Sequence, residues 1–263
     1  MFKRELKVNL KSFLVWTIVT VLLYLVIFLV YPSIMSEDSS KQINDFMKVF
    51  PEEILKTFNM DLATMDTAYG WLKSEGFVFV YLIFGLYASL MGANVLLKEE
   101  SDKTIEYLGA LPVTRTRIVL TKIAVSVIYI IASIAVTGVF FFVAMELSGE
   151  FDKKQLLLLC VTPVFPALVL FSATLFISTF FKKTSKMLGP AIGLVFASYV
   201  LNVIGEMSDN TKPLRFVSAY ALADCRNVIK NVEIRPVLAV VPVLVFVAFS
   251  AASVERYNHK ELV

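Results

Sequence analysis

The hydrophobic positions of this chain fall in blocks rather than in stripes. Six stretches run on without a single Asp, Glu, Lys, Arg or His: Phe13–Tyr31, Gly76–Leu97, Ile123–Met145, Leu156–Phe181, Met187–Ile204 and Pro236–Val254. A helix rises about 1.5 Å per residue, so a hydrocarbon core about 30 Å thick needs about 20 apolar residues. Every block is close to or above that length. One alone fits a buried helix of a soluble core. Six in succession predict an all-α integral membrane protein, a single transmembrane domain over residues 1–263 with six spans. Composition agrees: 57% of the 263 residues are hydrophobic and 18% charged, with a mean hydropathy of +0.74. A soluble chain carries more charge and shorter apolar runs.

The polar stretches predict the orientation. Six spans put both termini on one side, together with Lys3, Arg4, Lys7, Lys11, the stretch 98–122, the basic turn of Lys182, Lys183 and Lys186, and the tail residues Arg256 and Lys260. The opposite side carries the long loop 32–75, where acids such as Glu37, Asp45 and Glu52 outnumber lysines. Short basic loops stay cytoplasmic, so both termini are expected inside a multi-pass plasma-membrane protein. The loop 206–235 is nearly charge-balanced and argues neither way. The net charge of +3 reflects these anchors and gives no argument for nucleic acid.

Four further expectations concern the ends and loops. The first block is longer than the apolar core of a cleavable signal, and no small-x-small site follows it. Met1–Ser12 is a basic run with Phe2, Leu6, Val8 and Leu10, either an interfacial helix or a plain positive-inside anchor. Within the outer loop, "QINDFMKVF" and "PEEILKTF" read as short amphipathic helices, with a further turn from Asp61 or Thr64 to Trp71; Trp71 and Tyr31 suit an interfacial aromatic belt. Cys160 in the fourth span and Cys225 in the last outer loop lack metal-ligand company, since the one histidine is His259 in the tail.

The stretch "LKEESDKTIEYLGALPVTRTRIVLTK", Leu97 to Lys122, is the exception to the apolar pattern. Ser101 reads as the N-cap of a short helix with Thr104, Tyr107, Leu108 and Leu111 on one face, and Glu99 stands four residues before Lys103, a spacing that pairs. Gly109 and Pro112 end that helix. Thr114 then caps the next one, with Val113 and Ile118 spaced for a hydrophobic staple. Arg115 and Arg117 fall in its first turn, where the helix dipole disfavours cations by about 0.3–1 kcal/mol. Either they grip lipid phosphates or they meet carboxylates of another protein. The whole is an elbow joined to two spans.

Six spans, the basic start and the pattern E-x-S-x-x-T-I-E-x-L-x-x-L-P-V-T-R-x-x-I-x-x-x-K together resemble the ABC-2 type permeases of ATP-binding cassette transporters. The pattern is carried by Glu99, Ser101, Thr104, Ile105, Glu106, Leu108, Leu111, Pro112, Val113, Thr114, Arg115, Ile118 and Lys122. "FPEEILKTFNMD", "VSAYALAD" and the tail "ERYNHKEL" are looser matches. Many members have Gly before Thr-Ile-Glu, where this chain has Lys103. The resemblance implies that 98–122 is a coupling segment, seated on a separate ATPase through Thr104, Ile105, Glu106, Tyr107, Leu108, Leu111, Pro112, Arg115 and Arg117. It implies ATP and magnesium in that partner and none in this chain. It also implies a second permease copy, identical or paralogous, with spans one, two and five nearest the pathway, and most often export.

Absent motifs fit this picture. The chain has no G-x-x-x-x-G-K-[ST], so it cannot cradle nucleotide phosphates in a P-loop, and it has neither G-x-S-x-G nor H-E-x-x-H. With no ionisable residue in any apolar block, a proton relay through the membrane has nothing to run on. The neutral polar residues of the blocks, among them Thr17, Thr20, Ser89, Ser126, Thr137, Thr174 and Ser198, are expected to hydrogen-bond between helices. Gly85, Ala88 and Gly92 in the second span and the G-x-x-x-G of Gly189 and Gly193 in the fifth predict close helix contacts. Pro163 and Pro166 predict a kink in the fourth. The alternative to a permease is a polytopic scaffold or regulatory subunit without a pathway.

Overall fold

The computed structural model describes residues 1–34, 67–104, 113–223 and 225–260. The outer-loop helices expected over 43–58 and the starts at Asp61 and Thr64 lie outside them, as do Ile105 to Pro112. Among the described residues every regular element is helical, and six helical segments are long and apolar enough to cross a membrane: Phe2–Tyr31, Ala68–Val95, Arg115–Ser148, Lys153–Ser178, Thr184–Met207 and Pro236–Asn258. They are the six spans below.

Several spans extend past their apolar blocks. The first belongs to one unbroken helix of 33 residues, Phe2–Ile34, so the basic start is not a separate interfacial element. At about 1.5 Å per residue that helix is about 50 Å long, and its first turns project beyond a hydrocarbon core. The second span begins at Ala68, capped by the Thr67 hydroxyl, which accepts from Gly70 N at 3.0 Å. It passes through a five-residue π turn, Leu72–Gly76, before becoming regular at Phe77. A π turn leaves a carbonyl out of register. Here the Tyr24 hydroxyl of the first span donates to Gly76 O. The fourth span is split at Thr162 and Pro163 into Lys153–Val161 and Val164–Ser178, the break expected from its prolines.

The second and fourth spans form the centre. Two thirds of the second span's apolar window is buried, against 17% for the first and sixth. At Gly92 an added Cβ would collide with Phe171 O and Thr174 Oγ1 and stand 3.1 Å from Leu175 N, so the backbones approach as closely as glycine permits. Phe77, Phe84, Phe141 and Phe171 are buried in the apolar core that runs along these spans. The outer spans instead expose Leu22, Val26, Leu29, Val240 and Leu244. So much contiguous apolar surface is stable only against lipid or another apolar chain.

The segment between the fifth and sixth spans is more structured than a loop. Two 3₁₀ turns, Asp209–Val217 and Ala219–Ala223, precede a short helix, Cys225–Asn231. Ser218 Oγ donates to Ser198 O at 2.7 Å, and Tyr220 inserts beside Gly85, where its ring replaces the missing side chain. Tyr31 is buried rather than set in an aromatic belt: it donates to Thr67 O at 3.0 Å and packs on Trp71.

Span hydroxyls mostly do not bridge helices. Thr17 pairs with Ser133, Ser89 donates to Ala191 O, and Ser198 pairs with Ser218. Thr20, Ser126, Thr137 and Thr174 instead return to carbonyls three or four residues back in their own helix. A hydroxyl in a dry helix is satisfied locally without any neighbour, which the sequence reading underweighted.

The glycines divide accordingly. Gly92→Ala should lower stability by about 1–3 kcal/mol through overpacking against backbone. Gly193→Ala should leave the isolated chain unchanged, because nothing lies within 4 Å of its missing Cβ. Thermal unfolding of both purified variants measures the contrast.

Candidate functional site

The segment joining the second and third spans starts as a short helix, Lys98–Ser101. Ser101 therefore ends a helix instead of capping a new one. The stop is a Schellman motif: Thr104 N donates to Glu99 O at 2.8 Å, Lys103 N donates to Glu100 O at 3.3 Å, and Lys103 is left-handed with φ 54°. A left-handed backbone favours glycine, so Lys103 holds a conformation that costs a residue with a side chain. The expected Glu99–Lys103 pairing is not formed, because the turn carries Lys103 away and Glu99 binds elsewhere. Thr104 is described up to its own backbone turn; Ile105, Glu106, Tyr107, Leu108, Leu111 and Pro112 are outside the described residues.

On the far side of the segment, Thr114 caps the third span as expected, accepting from Arg117 N at 3.3 Å. Ile118 packs with Val113 in the expected staple, and Met1 joins them. Arg115 does not wait for an outside partner. Its Nη1 donates to Asn258 O at 3.1 Å and Lys260 O at 2.9 Å, carbonyls at the end of the sixth span. These lie at the negative end of that helix, which offsets the unfavourable dipole at the start of Arg115's own. Arg117 is exposed, and its side chain makes no ion pair with any described residue.

Beneath the segment lies a buried charge cluster. Lys122 is 2% exposed, and its Nζ donates to Glu99 Oε1 at 2.6 Å and Glu5 Oε2 at 3.1 Å. Glu5 is 2% and Glu99 6% exposed. Two carboxylates and one ammonium thus join the start of the first span, the entry of the connecting segment and the start of the third span. Glu99 Oε2 is buried without a partner among the described residues. Two turns further along the third span, the Tyr129 hydroxyl donates to Leu6 O at 2.7 Å and its ring stacks on Phe13, fastening the first span to the third. Neighbouring Glu100 accepts from Lys260 Nζ at 2.8 Å, and the same ammonium donates to Phe181 O at 2.6 Å. The tail therefore fastens the segment to the turn between the fourth and fifth spans.

Sequence reasoning had Glu99 and Lys122 only as pattern residues and missed Glu5 and the Lys260 contacts. Glu5 did leave a signal, as the one acid within the basic run Met1–Ser12. Lys122 sits at the edge of an apolar block, where a cation reads by default as an interface anchor.

Beside the cluster a cavity of about 410 Å³ opens between the first, second and fifth spans. Trp16, Tyr87, Met91, Asn94, Thr184 and Leu188 line it. The Tyr87 hydroxyl is buried with no hydrogen-bond partner among the described residues. A Cβ added at Gly189 or Gly193 would meet nothing within 4 Å among the described residues, and both glycines are exposed on the fifth span.

Six helical segments long and apolar enough to cross a membrane, with a charge-anchored segment between the second and third, define a polytopic membrane protein. The chain belongs to the ABC-2 transporter family: the family model described as "ABC-2 family transporter protein" matches residues 1–212. The match defines it as a membrane permease subunit of the ATP-binding cassette class, a class whose permeases associate with an ABC ATPase. No curated protein and no solved structure matches the chain.

Two outcomes follow for the cluster and its turn. Lys122→Met strands two carboxylates without a counterion and should cost about 3–5 kcal/mol, whereas adding Glu5→Gln and Glu99→Gln to it should restore most of that loss; thermal unfolding of the single and triple variants measures this. Lys103→Gly should gain about 0.5–1 kcal/mol, since relief of left-handed strain of about 1–2 kcal/mol exceeds the entropic penalty of glycine; the same unfolding measurement reads it.

Proposed function

We propose that this permease subunit forms the membrane pathway of an ATP-driven exporter. It works as a pair of permease chains, identical or paralogous, on two cytoplasmic ATPase subunits that hold the ATP and magnesium. Both termini and the segment 98–122 face the cytoplasm of a plasma membrane. The segment is the coupling element: Thr104, Ile105, Glu106, Tyr107, Leu108, Leu111, Pro112, Arg115 and Arg117 meet the ATPase, with Leu108 as the apolar anchor.

The observation that carries this reading is the buried Glu99–Lys122–Glu5 cluster. A segment that only linked two spans would need no such attachment. This one is fixed at its base to the first and third spans and, through Glu100 and Lys260, to the last. A push on its tip is passed to those helices because closely packed interiors are stiff. The cavity among spans one, two and five supports a pathway on that side, and the open glycine face of the fifth span supports a second chain there. Arg115, held by the end of the sixth span, keeps free guanidinium edges, so its coupling role is compatible with its internal contacts.

Leu108→Asp tests the coupling. Truncating a buried interface anchor typically costs more than about 2 kcal/mol. The variant should insert and fold normally but lose ATPase copurification in mild detergent. Glu106→Ala should weaken copurification far less, with an effect that fades at high salt. Normal copurification of Leu108→Asp would favour a scaffold whose partners bind elsewhere.

A further inference from the structure

At the same end of the bundle, a second cavity of about 620 Å³ lies between the ends of the fourth and sixth spans. Its lining combines apolar and charged residues. Phe180 and Ala252 are apolar, while Lys182, Arg256, His259 and Lys260 are basic, against the single acid Glu255. The two apolar blocks end at Phe181 and Val254, and the charges begin one residue later in each, at Lys182 just past the fourth-span helix and at Glu255 within the sixth. The cavity therefore straddles the level where hydrocarbon gives way to headgroups. The sixth-span helix gives the same answer by length: its 23 residues reach about 34 Å, a few ångströms more than the hydrocarbon core.

The cations here are incompletely matched. Lys260 is satisfied by Glu100 and Phe181 O. Glu255 lies 3.4 Å from His259 and i,i+4 to it. Lys182 makes no ion pair with any described residue, and Arg256 has no carboxylate partner among them. Arg256 instead stacks over Phe180, 3.8 Å from the ring centroid. Stacking fixes the guanidinium plane and leaves its N–H edges to donate, the geometry that suits a phosphate. Phe180 is 55% exposed and continues the apolar wall.

We infer that this cavity is a binding site for the phosphate headgroup of an anionic membrane phospholipid. Arg256 and Lys182 hold the phosphodiester, and an acyl chain follows Phe180 and Ala252 towards the hydrocarbon. A basic pocket between span ends, with an apolar floor, is the arrangement that retains such lipids. The inference is independent of what the protein transports. It needs only that the spans cross a bilayer.

The test uses full-length protein in detergent, with retention of added phosphatidylglycerol and phosphatidylcholine read by native mass spectrometry. Wild type should keep phosphatidylglycerol in preference to phosphatidylcholine. Lys182→Gln with Arg256→Gln should reduce phosphatidylglycerol retention by about fivefold for each cation removed, leaving phosphatidylcholine unchanged. Lys7→Gln with Lys11→Gln, which removes two interfacial cations from the first helix, should have no such effect, and matched unfolding temperatures establish that both doubles are folded. Inorganic phosphate at millimolar concentration should not displace the lipid, because the apolar floor contributes to binding. Three results would overturn the assignment: equal retention of the two lipids, equal loss in the Lys7/Lys11 control, or full displacement by phosphate, which would mark a site for a soluble anion.

Discussion

Lys122 stands where three parts of the molecule meet, and the arrangement of this end of the bundle depends on how its charge is met. A buried ammonium is tolerable only with paired, well-oriented acceptors. Glu5 and Glu99 provide them from opposite directions, one from the first helix and one from the segment leaving the second span. Removing a partner leaves a charge stranded in a dry interior, so the three elements cannot separate independently. A hydrophobic trio of similar volume would hold the same helices at least as firmly. The charged version demands instead one relative placement of three chain segments, and it does so directly beneath the segment proposed to receive force.

The remaining contacts at this end extend that constraint outwards. Arg115 closes the end of the sixth span, and Lys260 reaches back from the tail to Glu100 and Phe181. The central contact of the second and fourth spans at Gly92 is of a different kind, made of backbone approach and aromatic filling with no charge at all. The bundle thus has a dry, close-packed middle and an electrostatically tied end. The tied end joins the first, third and sixth spans and the turn before the fifth through named side-chain bonds.

The fold class was legible because membrane spans write themselves as uninterrupted apolar blocks, and Thr114, Val113 and Ile118 were legible because capping is local in sequence. The charge cluster was not. Glu5, Glu99 and Lys122 are separated by 94 and 23 positions, and each reads alone as an ordinary interfacial charge. The sense of the turn at Ser101 was missed for a related reason. Serine is a good N-cap, but only the left-handed backbone at Lys103 shows that a helix ends there. Thr17, Ser89 and Ser198 bond to other segments as expected, but sequence does not reveal that Thr20, Ser126, Thr137 and Thr174 turn back on their own helix.

The bond from Tyr31 to Thr67 has a consequence for how such proteins can vary. It closes the base of the outer segment, so the chain leaves the first span and rejoins the second at a single fixed stem. The entropy of closing a loop grows only logarithmically with its length, by about 0.6 kcal/mol for each doubling. Above that stem, residues can be gained or lost at little expense to the helices below. The helical bundle and the length of the stretch closed at this stem are therefore free to vary on separate terms.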